Sequence, residues 1–126
     1  MHHKKQSLIL ILLLLLSSCN LFKENSIEFS IENQSDVIIE SITFTTSERR
    51  AEKTFDSLQP KKSVFGILLM DQNKMDGSYV LEFTRVNGKK ETHNVGYYTN
   101  GAPINRWVSF KIQNDTLLHL FSGTGL

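Results

Sequence analysis

Cysteine is almost missing from this sequence. Cys19 stands alone among 126 residues, so no disulfide can form within the chain. An excess of either charge is also missing, with 14 basic against 13 acidic residues. A nucleic-acid binder clusters basic side chains to displace counterions from phosphates, and a polybasic membrane-surface protein does the same for anionic lipid. The balance here argues against both, and nucleic acid is not an expected partner. A long apolar run is missing too. Leu8 to Leu16 is nine aliphatic residues, half of the roughly 18 that a helix needs to cross the hydrocarbon layer. No stretch shows the 3.6-residue apolar period of an amphipathic helix, and no cofactor-binding motif occurs.

What is present begins at the amino terminus. His2, His3, Lys4 and Lys5 precede the aliphatic run, and no acid occurs before Glu24. Positive charge, then a short apolar stretch, then small residues is the order of a secretory signal. Ordinary signal peptidase prefers small residues at −3 and −1, and a cut after Ser18 would place Leu16 at −3. Leu16-Ser17-Ser18-Cys19 instead resembles the lipobox of bacterial lipoproteins. That resemblance implies a diacylglyceryl group on the Cys19 sulfur, cleavage before it by signal peptidase II, and a chain held at the cell envelope by its lipid. It divides the sequence into a signal peptide (1–18), a lipidated cysteine with a short tether (19–25) and one domain (26–126). Removal of Lys4 and Lys5 leaves 12 basic residues against 13 acidic ones. The lone cysteine fits independently: an exported chain enters an oxidising compartment, where an unpaired thiol is a liability and a thioether removes it. Two or more acyl chains anchor stably where one binds marginally. Asn20 is not the Asp that favours inner-membrane retention in enterobacterial lipoproteins, so the resemblance implies the outer membrane. Lys23-Glu24 matches the acidic surface-display signal of Bacteroidetes-type lipoproteins only thinly, which leaves the periplasmic and outer faces both open.

From Ser26 onward the apolar period is two. Ile27, Phe29 and Ile31 alternate with Glu28, Ser30 and Glu32, a half-buried strand. Further strands are predicted over 37–45, 53–58, 63–70, 78–86, 89–98, 105–113 and 116–121. The stretch 63–70 is apolar on both faces, which predicts a central strand. Asn87-Gly88 predicts a two-residue hairpin turn, because both residues tolerate positive φ. Seven to eight short strands at regular spacing predict an all-β domain, an antiparallel β-sandwich. "SLQPKKS" (57–63) resembles the Leu-x-Pro corner of immunoglobulin-like and fibronectin-like bacterial domains, which implies an immunoglobulin-like arrangement.

Residues with reactive chemistry are sparse. His93 and His119 lack a Cys, or a His at i+2 to i+5, so metal-ligand spacing is missing. "DQNKMDG" (71–77), with Glu82 twelfth from Asp71, has the outline of a calcium loop, but Met75 takes a ligand position and the glycine falls one residue late. No G-x-S-x-G elbow occurs. "DSL" (56–58) and "DTL" (115–117) resemble the acceptor site of Bacteroides-type O-glycosylation. A non-catalytic binding or accessory module at the envelope is the expected function. A structural subunit of an envelope complex, or a protective inhibitor, is the alternative. "VGYYTNGAPINRW" (95–107) supplies the candidate binding residues. Parity sets Trp107 outward beside Ser109 and Lys111, and one of Tyr97 and Tyr98 must also face out. With Asn100 and Arg106 they are material for recognising a protein or a glycan, and the aromatic face around Tyr98 and Trp107 is the preferred contact.

Overall fold

The computed structural model describes residues 25–123, so Cys19, the aliphatic run and the tether lie outside the described residues. Nine strands follow one another: β1 (Ser26–Asn33), β2 (Ile39–Thr46), β3 (Glu52–Leu58), β4 (Ser63–Leu69), β5 (Gly77–Arg85), β6 (Lys90–Thr99), β7 (Ala102–Pro103), β8 (Trp107–Ile112) and β9 (Leu117–Phe121). They form a four-stranded sheet in the order β4-β1-β8-β9 and a five-stranded sheet in the order β3-β2-β5-β6-β7.

The two sheets bury their apolar faces against each other in a sandwich-like, all-β architecture. Ile27, Phe29, Ile31, Val108, Phe110 and Ile112 come from one sheet, and Ile42, Phe44, Tyr79, Leu81 and Phe83 from the other. Phe29 and Phe44 meet across the interior with ring centroids 4.7 Å apart, and Phe44 meets Phe110 edge-on at 5.4 Å. Each such ring contributes roughly 1.5–3 kcal/mol through the apolar area it removes from water. At the corner between β3 and β4 the chain crosses from one sheet to the other. There the Lys61 N–H donates to the Asn33 carbonyl at 2.7 Å, and Asn33 Nδ2 donates to the carbonyls of Leu58 and Val37.

The pairing corrects two expectations and does not confirm a third, the immunoglobulin-like arrangement. The sheets are not wholly antiparallel, because β1 and β8 run parallel, Phe29 facing Val108 and Ile31 facing Phe110. The strand order also differs from the constant-type immunoglobulin order, where the second and third strands lie in opposite sheets. Here β2 and β3 form a hairpin within one sheet, and β1 sits between β4 and β8. Finally, β4 is an edge strand rather than a central one. Its Leu68 is buried in the core, but Phe65, Ile67 and Leu69 point away from it and remain exposed. An apolar strand need not be covered on both sides, and this one is not.

The two Asn-Gly pairs exchange roles. Across Asn87-Gly88 the Gly88 N–H donates to the Arg85 carbonyl and the Arg85 N–H to Lys89, which closes a three-residue loop in which only Gly88 has positive φ, +83°. The two-residue turn with both residues at positive φ is Asn100-Gly101, at +51° and +74°, between the paired Thr99 and Ala102.

Candidate functional site

The parity of β6 decides which tyrosine is available. Glu91, His93 and Val95 lean toward the core, so unbroken alternation would send Tyr97 inward and Tyr98 outward. A bulge intervenes: Tyr79 pairs with Val95, but Gly77 pairs with Tyr98, so one residue of β6 is unmatched. Gly96, at φ +67°, takes the strained position, and a Cβ there would lie 2.3 Å from the Phe121 ring. Parity reverses after it. Tyr98 turns into the core at 0% exposure against Tyr79, and its hydroxyl donates to Glu48 Oε1 at 2.8 Å. Burial raises the Tyr98 hydroxyl above its ordinary pKa. Tyr98 is therefore a packing residue, and the expectation that it forms the contact face is corrected. Tyr97 is the exposed member of the pair, at 51%.

Tyr97 and Trp107 also lie on different sheets. Tyr97 belongs to β6 of the five-stranded sheet and Trp107 to β8 of the four-stranded one, so the expected aromatic cluster is divided. Asn100 is exposed, but its role is local: it occupies the β6–β7 turn, and its N–H donates to Asp76 Oδ1 at 2.9 Å. Arg106 does remain beside Trp107. Its N–H donates to Ser122 Oγ at 2.7 Å, and its carbonyl accepts from the Glu28 N–H at 3.0 Å, which fixes the start of β8 against β1.

Around Trp107 the outer face of the four-stranded sheet has two apolar edge strands with a polar middle. Register places the side chains in rows. Ile67, Glu28 and Trp107 form one row, Phe65, Ser30, Ser109 and Leu120 the next, and Ser63, Glu32, Lys111 and Leu118 a third. Phe65 is 75% exposed, and Ile67, Leu69, Leu118 and Leu120 are all well exposed. The small side chains of Ser30 and Ser109 leave a trough between the two apolar edges. Trp107 is a wall common to three depressions. One of about 500 Å³ runs over Ser109, Leu118 and Leu120, one of about 200 Å³ lies beside Phe65, and one of about 590 Å³ sits between it, Ile104 and Arg106. Sequence reasoning found Trp107 and Arg106 but missed Phe65, Ile67, Leu69, Leu118 and Leu120. The available signal was the double-sided apolar character of 63–70, which was read as burial.

The other chemical candidates are drawn into internal structure. His93 stacks on Phe83 at 5.7 Å and meets Glu91 Oε1 at 3.1 Å, while His119 stands edge-on to Phe121. In the 71–77 loop, Asp76 accepts from Thr99 Oγ1 and the Asn100 N–H, and Asn73 Oδ1 accepts from Thr46. The Asn100 N–H, the Thr99 hydroxyl and Tyr97 hold the Asp76 carboxyl below its ordinary pKa. Among the described residues no group of three or more His, Cys, Asp or Glu side chains is placed to hold a metal ion. Ser57 and Thr116 are both exposed.

No family model matches the chain, and no curated protein matches it. A solved structure, an NMR structure of a protein from Eubacterium rectale, is similar with a TM-score of 0.52. It shares 13% sequence identity over 78% of this chain and 89% of that one, so the likeness concerns the fold alone.

Proposed function

We propose that this chain is an exported lipoprotein, anchored at the bacterial envelope through Cys19, whose domain is a non-catalytic binding or accessory module for a protein partner. The observation that carries the binding reading is the outer face of the four-stranded sheet, where Phe65, Ile67, Leu69, Trp107, Leu118 and Leu120 are exposed together. Solitary exposed apolar residues are ordinary, but two apolar strands exposed on one face, either side of a trough that Trp107 borders, point to a contact surface. Its aliphatic content favours a protein over a glycan, since sugars are held by aromatic platforms flanked by many hydrogen-bonding groups. Phe65, Leu118 and Leu120 are the expected anchors of the contact, with Trp107 at the end of the face where the chain enters.

The anchor reading rests on the lipobox resemblance and on the unpaired cysteine. Cys19→Ala should yield an uncleaved or soluble product, and unchanged membrane attachment after cleavage would contradict it. The contact reading is tested with a photo-crosslinking residue at position 120 or 65, against position 92 on the opposite sheet. Adducts of one defined mass at 120 and 65 but not at 92 are expected in intact cells. Equal labelling, or none, removes the assignment. Leu118→Ser should weaken the adduct in a protein that remains folded. A structural-subunit or inhibitor role is the second reading, favoured by the edges of the same sheet. β4 and β9 are the outer strands of that sheet, and neither contains the Lys, Arg, Asp, Glu or proline that blunts an edge against pairing.

A further inference from the structure

The end of the sandwich where the chain enters carries four exposed large apolar side chains among mixed charges. Asn25 is fixed there: its N–H₂ donates to the Met70 and Gly101 carbonyls, and its own carbonyl accepts from the Met70 N–H at 2.6 Å. Leu69 faces Ser26 across the β1–β4 pair, and the Gly101 N–H donates to the Met75 carbonyl at 2.7 Å. Ile104 and Trp107 border the 590 Å³ depression at the same end. Leu69, Met75, Ile104 and Trp107 therefore surround the point where the tether leaves, all four exposed, Met75 at 66% and Ile104 at 58%.

We propose that the bilayer carrying the Cys19 lipid is the ligand of this end, so that Leu69, Met75, Ile104 and Trp107 seat in its headgroup region and hold the domain end-on. This rests on the lipoprotein reading above. Chain length supports it: Asn25 comes six residues after Cys19, a reach of at most about 22 Å even when fully extended. A domain confined that closely meets the membrane at high effective concentration, so a small apolar contact is enough to fix its orientation. Tryptophan suits the boundary because its ring is apolar and its N–H can remain wet. The nearby charges are mixed, Lys74 and Arg106 with Asp71 and Asp76, so the contact is apolar rather than polybasic.

Trp107 is the only tryptophan, so its emission reports this site alone. The lipidated protein is purified from membranes, its lipid verified by mass, and reconstituted into phosphatidylethanolamine–phosphatidylglycerol vesicles carrying a spin-labelled lipid quencher near the headgroups. About half of the emission should be lost, and less should be lost with a quencher placed at the chain ends. Ile104→Asp with Met75→Asp should restore the emission, while Phe65→Asp should not. Unquenched Trp107 in verified lipidated protein overturns the inference and leaves the anchor standing. Loss of quenching in Phe65→Asp instead would mean that the sheet face lies on the lipid, and the end-on placement fails. Absence of lipid on Cys19 overturns the anchor reading and this inference with it.

Discussion

The two sheets share one core but present opposite surfaces. On the five-stranded sheet, Thr43, Thr54, Glu82, Thr84 and Thr92 occupy the outer rows, and Glu82 is engaged by Arg49 and Lys90. Its edges are blunted as well, with Glu52, Lys53 and Asp56 on β3 and Pro103 on β7. On the four-stranded sheet Phe65, Ile67, Leu118 and Leu120 stand on the outer side of the two edge strands, flanking Glu28, Ser30, Glu32, Ser109 and Lys111, and neither edge strand carries a Lys, Arg, Asp, Glu or proline. Both sheets need one apolar face to fold. Only one of them also exposes apolar edge strands on its outer side, and folding does not account for them.

The largest effect is expected at the bulge that turns Tyr98 inward and Tyr97 outward. Gly96→Ala combines a strained φ of +67° with a Cβ 2.3 Å from the Phe121 ring. It should cost about 3 kcal/mol in urea unfolding. Gly88→Ala, also at positive φ but with nothing within 4 Å, should cost about 1 kcal/mol. Equal losses would show that the bulge is not what sets the parity of β6.

Acid should act next, and on the five-stranded side. The Arg49 hydrogen bond and charge hold Glu82 below its ordinary pKa. Burial pushes Glu91 up, but Arg85 and His93 outweigh it and leave it lowered. Glu48 is likewise lowered despite burial, by the N–H groups of Lys74 and Met75 and the Tyr98 hydroxyl. A carboxylate lowered in the folded state stabilises it above the unfolded pKa, and that stability is lost as pH falls. The urea midpoint should therefore stay level above the ordinary glutamate value of 4.5 and decline as pH drops through it. A midpoint that rises on acidification would contradict this.

Smaller effects separate charge from apolar surface. Arg49→Ala removes the ion pair to Glu82 and should lower the urea midpoint only slightly, and less at high salt. Phe65→Ser should change stability by no more than about 0.5 kcal/mol, because the ring packs outward. The same substitution should reduce binding of an apolar fluorescent dye, whereas Thr92→Ser on the other sheet should leave dye binding unchanged.

Strand positions were legible in the sequence because period-two alternation is local. The alternation of Ile27, Phe29 and Ile31 predicts β1, and each further predicted strand overlaps an observed one. Strand order was not legible, since pairing of β1 with both β4 and β8 joins residues that nothing local connects. The status of β4 was misread because an apolar residue declares a preference for a dry surface without saying whether the fold or a partner supplies it. Tyr98 was not legible from parity because one glycine breaks it: Gly inside a strand is a bulge signal, and the bulge at Gly96 reverses which of the two tyrosines faces the core. Trp107 was placed correctly because no bulge interrupts β8.

The parallel pair has a consequence for the timing of folding. The hairpins β2–β3 and β5–β6 join near neighbours in the chain, and contacts that close short loops form early. Glu28, by contrast, waits for Trp107, seventy-nine positions later. The first strand is thus among the first to be synthesised and among the last to be locked. A chain still being synthesised cannot complete its four-stranded sheet until most of its length has emerged.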